Sequence, residues 1–163
     1  MVRLLSSYLF EGPVHLNSIY WKSSDTTSEF WTFAKVNGKA QPKVPVYVLT
    51  SLDTFSAAEE FAYNLKALKR AVVVGEVTKG GANPWRFFDL EGGFQVAIPI
   101  AKAVNPITKT NWEGVGVQPD IKVSKDKAFD TAYELALKNL KQKSVPAEQS
   151  KDIDKALKQF QSP

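Results

Sequence analysis

Residues 45–76 read Pro-Val-Tyr-Val-Leu-Thr-Ser-Leu-Asp-Thr-Phe-Ser-Ala-Ala-Glu-Glu-Phe-Ala-Tyr-Asn-Leu-Lys-Ala-Leu-Lys-Arg-Ala-Val-Val-Val-Gly-Glu, and they decide the fold. Val46–Leu49 is a short apolar run that suits a strand buried on both faces. Thr50–Thr54 is turn-like, and a helix is predicted from Ser56. Its apolar face is Phe61, Leu65 and Leu68 with Ala58 and Ala62; its polar face is Glu59, Glu60, Asn64, Lys66 and Lys69. Ala71–Val74 is a second buried strand, closed by Gly75. The unit is strand, loop, helix, strand, with a serine where the helix starts.

Two readings of Ser56 stand side by side. Ser56-Ala-Ala-Glu59 is a capping box, in which the serine oxygen accepts from the Glu59 amide and the glutamate reaches back to the Ser56 amide. The same position suits a nucleophile. A hydroxyl at a helix N-terminus sits beside amides that lack intrahelical partners and can hold a developing oxyanion.

Working outward, residues 2–10 carry helical apolar spacing, and Gly12-Pro13 ends that helix. Val14–Trp21 alternates as a strand, residues 22–28 form a polar loop, and residues 29–36 give a second strand before the Asn37-Gly38 turn. The aromatic cluster Tyr20, Trp21, Phe30, Trp31 and Phe33 reads as core rather than groove. Downstream, Thr78-Lys-Gly-Gly-Ala-Asn-Pro is a glycine-rich loop but not a phosphate loop, because no Gly-Lys-Ser/Thr precedes a helix. Trp85–Leu90 and Phe94–Ala101 form a hairpin around Gly92-Gly93, and Asn105-Pro106 starts a loop running to Asp120. Ile121–Val123 is a last short strand, Lys127–Lys141 an amphipathic helix, and Glu148–Phe160 a mostly polar one.

Composition excludes several classes. The chain has no cysteine, so disulfides, thiolate metal sites and a cysteine nucleophile are absent. Three of its four net positive charges fall after residue 121, where nine lysines meet six acidic residues. A lysine-rich solvated helix explains this, and no basic patch with interleaved aromatics points to nucleic acid. No apolar run approaches transmembrane length, no signal peptide is recognisable, and neither metal nor cofactor is expected. His15 is the only histidine and reads as structural.

Thr50–Phe61, Leu65–Thr78 and Ile107–Ile121 (with Asn111-Trp-Glu-Gly-Val-Gly-Val-Gln-Pro-Asp) together resemble the S41 peptidases. These are the tail-specific proteases, the tricorn protease core and the interphotoreceptor retinoid-binding proteins. The likeness is nearest to the retinoid-binding-protein-like branch and covers roughly residues 4–140. It implies an α/β fold of the ClpP/crotonase type, built from stacked strand–strand–helix units. It also implies a peptidase core over residues 1–143 and a polar helical tail over residues 144–163.

The resemblance makes Ser56 the nucleophile, the Ala57 amide an oxyanion donor, and Glu113 a supporting carboxylate. It implies a peptide or unfolded-protein substrate, bound by strand addition near Gly80 and Gly81. In tail-specific proteases a lysine follows the glycine of the Thr-x-Gly motif. That position is Gly81 here, and Lys79 lies two residues early. Retinoid-binding-type relatives often carry histidine where this chain has Asn83. The tricorn-type histidine and its glycine-rich loop lie upstream in relatives, so the chain is expected to begin after them and to be a poor peptidase alone. The rival is a binding module of the same fold, for peptides or apolar ligands, with Ser56 only a cap. Bacterial members are commonly exported; the residues themselves assign neither a compartment nor an oligomeric state.

Overall fold

The computed structural model describes residues 1–143 and 145–160. It is a mixed α/β molecule with three small sheets. The strand–helix–strand unit expected from sequence is present: β3 (Tyr47–Thr50), α2 (Ala57–Ala67) and β4 (Val72–Gly75). β3 and β4 pair in parallel, Tyr47 opposite Val72 through Thr50 opposite Gly75. β8 (Ile121–Lys122) adds to the other side of β4, giving the order β3-β4-β8. Gly75 has no substitute here: at φ 135° a Cβ would stand 2.0 Å from the Thr50 carbonyl oxygen.

The second sheet is antiparallel, with β1 (His15–Trp21) between β2 (Thr26–Trp31) and β7 (Ala101–Val104). Two expectations change here. Thr26–Ser28 belongs to β2 rather than to a loop, because these residues pair with Trp21, Tyr20 and Ile19 across a tight turn. Asp25 takes φ 50° in that turn and accepts from the Tyr20 hydroxyl at 2.8 Å. β7 was not expected as a separate strand. Pro99 ends β6 (Gln95–Pro99), the Ile100 amide turns back to the Pro84 carbonyl at 2.8 Å, and Ala101 starts a new pairing with Trp21. β5 (Trp85–Asp89) and β6 form the expected hairpin as a sheet of two.

The remaining helices are α1 (Val2–Ser7), α3 (Lys125–Lys141) and α4 (Ala147–Lys158). α4 lies on α3, with Ile153 buried, Lys141 paired to Asp154 and Phe160 edge-on to Tyr133. The expected tail starts at Ser144, which with residues 161–163 lies outside the described residues.

Burial corrects the sequence reading in three places. β3 is an edge strand, so Leu49 is exposed and only Thr50 is buried; the both-faces expectation holds for Val73 and Val74 of β4. The aromatics expected as core lie on or just beyond β1 and β2 of the second sheet, Trp31 and Phe33 exposed and Tyr20, Trp21 and Phe30 half-buried. Most tellingly, Glu59 and Asn64, assigned to the solvated face of α2, are both 0% exposed. Between α2 and the 112–117 segment sits a small core of Ala62, Trp112 and Val117, with Val48, Tyr63 and Ala82 against it.

Candidate functional site

Ser56 is the N-cap of α2 and has φ 54°, ψ −118°. An N-cap residue ordinarily has extended backbone, and a side chain at positive φ is strained by about 1–3 kcal/mol. The capping box is present but lopsided. The Glu59 carboxylate accepts from the Ser56 amide at 2.8 Å. The serine side chain lies over the Glu59 amide without a cap hydrogen bond of standard geometry. An exposed hydroxyl on a strained strand-to-helix turn is what a nucleophile elbow presents.

The strain is held by Glu59. Its carboxylate also accepts from the Thr78 hydroxyl, from the Gly80 amide at 2.6 Å and from the Gly81 amide at 3.0 Å. Thr78 in turn accepts from the Val117 amide at 2.7 Å. One buried carboxylate therefore joins the start of α2 to the glycine-rich loop, and the loop to the 112–117 segment. Four hydrogen bonds to a charged acceptor are the form in which a buried carboxylate is tolerated. Sequence periodicity missed this residue; the capping box Ser-x-x-Glu was the signal for half of its role.

Glu113 acts on the same loop from the other side. Its Oε2 accepts from the Ala82 and Asn83 amides, each at 2.7 Å. Gly116, at φ 70°, lets this segment approach the loop: a Cβ there would meet the Thr78 carbonyl oxygen at 2.2 Å.

A cavity of about 360 Å³ opens beside Ser56. Ser56, Ala57 and Glu60 line it from α2; Gly81, Ala82 and Asn83 from the loop; Asn17 and Ile19 from β1; and Trp85 and Trp112 from further on. Among the sequence-predicted site residues, Ser56, Ala57 and Gly81 share this cavity. Gly80 stands behind it, and Glu113 supports its wall through Ala82 and Asn83. Among the described residues, the Ala57 amide donates to no protein group. The backbone of the two glycines is committed. Gly80 accepts from the Gly114 amide, Gly81 accepts from the Trp112 indole at 3.1 Å, and both amides donate to Glu59.

Among the described residues, no basic side chain lines the cavity. The Lys79 ammonium lies 5.5 Å over the Phe55 ring. His15 stacks on Trp31 at 4.6 Å, and its Nε2 meets Ser18 Oγ at 2.9 Å. Asn83 Oδ1 is occupied by the Ala103 amide and Asn111 Nδ2. Glu60 is the one titratable group in the wall. Burial raises its pKa above the ordinary carboxylate range, and the amides of Asn17 and Asn64 oppose this in smaller measure. Among the described residues, no group could hold a metal ion as part of a cluster of three or more His, Cys, Asp or Glu side chains. Among the described residues, no helix is long and apolar enough to cross a membrane.

Comparison with known proteins gives the site its context. The sequence profile of peptidase family S41 matches residues 14–123. The chain is 40% identical over 76 residues to carboxyl-terminal-processing peptidase 2, chloroplastic, from Arabidopsis thaliana, covering 47% of this chain and 15% of that one. It is 32% identical over 102 residues to a carboxyl-terminal-processing protease from Synechocystis sp., covering 63% and 23%. The photosystem II D1 C-terminal processing protease superposes with a TM-score of 0.59 at 24% identity, over 76% of this chain and 31% of that structure, a likeness of fold. The chain thus spans less than a third of the length of these relatives. With two thirds of its residues matched by the profile, including Ser56, the glycine-rich loop and Glu113, the chain belongs to peptidase family S41.

Proposed function

We propose that the chain is the nucleophile-bearing part of a serine peptidase that hydrolyses peptide bonds, of the carboxyl-terminal-processing type. The backbone of Ser56 carries this reading. A serine serving only as a cap has no reason to sit at φ 54° beside a cavity. In this reading Ser56 Oγ attacks the scissile carbonyl and the Ala57 amide holds the oxyanion. Glu113 keeps the facing wall in place. The substrate is a peptide or unfolded protein. It meets the Gly80-Gly81 loop through the cavity wall formed by Gly81, since the amides of both glycines are already bonded. In this reading the fold is of the crotonase type and nearest the retinoid-binding-protein-like branch, with residues 1–143 as its core.

The general base lies outside the cavity wall described above, so the 163-residue chain alone is folded but a poor peptidase. A positioned base is worth roughly 10²–10⁴ in rate. Intact-mass measurement after fluorophosphonate treatment tests the nucleophile. One adduct on Ser56, absent in Ser56→Ala, supports it; labelling no faster than at other surface serines defeats it. A peptidase assay on the same chain is expected to show negligible turnover. Turnover that disappears in Ser56→Ala would point to a base within the chain, with His15 and Lys79 the first to mutate.

One observation favours a second reading, a peptide- or apolar-ligand-binding module. Both basic candidates are engaged away from Ser56, Lys79 on Phe55 and His15 on Trp31 and Ser18. In that case the fluorophosphonate leaves Ser56 unmodified while ligands still enter the cavity.

A further inference from the structure

We propose that the cavity beside Ser56 is a subsite for a positively charged nitrogen of a peptide, held by the Glu60 carboxylate and the Asn17 side-chain oxygen. The inference rests on the reading of Ser56 only in making this charged group part of a substrate; the binding itself stands on other residues.

Glu60 lies one turn along α2 from Ser56, its amide bonded to the Ser56 carbonyl at 2.9 Å, and both line the cavity. Among the described residues it forms no ion pair within 4 Å and no lysine, arginine or histidine side chain lines the cavity; the Asn17 and Asn64 side chains and the charge of the amino terminus offset its burial only in part. A carboxylate taken from water without a cation is unfavourable, and an entering cation replaces what it has lost. Glu59, its neighbour in sequence, shows the contrast: that carboxylate is saturated by four donors from the protein.

The second observation is independent. Asn17 is 2% exposed and lines the same cavity, yet its Oδ1 has no hydrogen-bond partner. Buried acceptors are normally paired. An ammonium brings three donors and a guanidinium five, enough to serve a carboxylate and an amide oxygen together. The walls fit the rest of such a group. Phe55, Trp85 and Trp112 supply aromatic surface for an alkyl stem and for a cation over a ring. The cavity is also within the size of ordinary small-ligand sites.

Trp85 and Trp112 make intrinsic fluorescence a reporter of occupancy. The chain is titrated with acetyl-Ala-X-Ala-amide, X being lysine, norleucine or glutamate, and with an uncapped norleucine peptide carrying a free amino terminus. The lysine peptide is expected to bind at least about tenfold tighter than norleucine, with glutamate weakest. Glu60→Gln is expected to close that gap to within about twofold, and Ser56→Ala to keep it. Tight binding of the uncapped norleucine peptide also supports the subsite and assigns it to the α-ammonium rather than a side chain.

Should Glu60→Gln fail to fold, the wild-type gap is followed against pH. It is expected to close on acidification, as Glu60 takes up its proton. Equal binding of the lysine peptide and of both the capped and the uncapped norleucine peptides, a preference for the charged peptide that survives Glu60→Gln, or one unmoved by acid overturns the proposal. Fluorophosphonate labelling keeps the two readings apart. An unlabelled Ser56 with the lysine preference intact removes only the nucleophile; a labelled Ser56 without the preference removes only the subsite.

Discussion

The Glu59 carboxylate, fully buried, holds the Ser56 amide at 2.8 Å three residues behind it. The same carboxylate binds Thr78, Gly80 and Gly81, so the turn that carries the serine and the loop that faces it share one acceptor. Glu59→Ala leaves four donors without a partner. It is expected to cost about 3 kcal/mol or more, read as a lower urea midpoint at unchanged slope, and to abolish fluorophosphonate labelling. A neutral midpoint would show that the loop finds other acceptors.

Ser56→Gly separates a strained nucleophile from a plain cap. Glycine adopts φ 54° without the cost that serine bears there. The variant is expected to be more stable by about 1 kcal/mol, with labelling lost. Were Ser56 only a cap, the same change would be slightly destabilising, by a few tenths of a kcal/mol. Thermal unfolding of the two chains side by side gives the sign.

Glu113→Ala removes the acceptor for the Ala82 and Asn83 amides. Because Glu113 is exposed, the expected loss is modest, about 1 kcal/mol. Hydrogen exchange is more sensitive: the Ala82 and Asn83 amides are expected to exchange faster while those of β4 keep their protection. Uniform exchange across the chain would remove the local role.

Glu60 predicts a pH dependence of definite sign. Its pKa is raised on folding, chiefly by burial. The folded state therefore holds the proton more tightly than the unfolded one. The stability this contributes is fully present below the unfolded pKa and is lost as pH rises through the folded value. Glu60→Gln escapes that loss. Its Tm is expected to exceed wild type at neutral pH and to converge with it under acid conditions, followed between about pH 4 and pH 8. A constant difference across the range would mean that Glu60 is not the group responsible.

The strand–helix–strand unit was legible because local rules act there without competition. Apolar runs bounded by Gly75 and the Ser-x-x-Glu box need no distant partner to be recognised. The loop residues 78–81 and Glu113 were reached through family motifs rather than periodicity. What stayed hidden depends on tertiary pairing. Thr26–Ser28 looks polar and becomes strand because Tyr20 and Trp21 offer partners. Ala101–Val104 looks like the end of a hairpin and joins β1 instead. Glu59 and Asn64 look solvated because hydropathy cannot see three amide and hydroxyl donors waiting on another loop, or an Asn105 amide at 3.1 Å.

Asn105 also sets an order of assembly. Its side-chain nitrogen donates to Leu16, 89 positions away, and to Asn64, 41 away, whereas the bonds around Glu59 close loops of 19–22 residues. Loop closure grows costlier with length, and distant pairing slows folding. The serine turn and its facing loop can therefore assemble first, and the sheet of β1 and β7 arrives later to wall the cavity with Asn17 and Ala103. Removing the Asn105 amide would then hasten unfolding far more than it slows folding, leaving the Ser56 turn as the last part of the molecule to come apart.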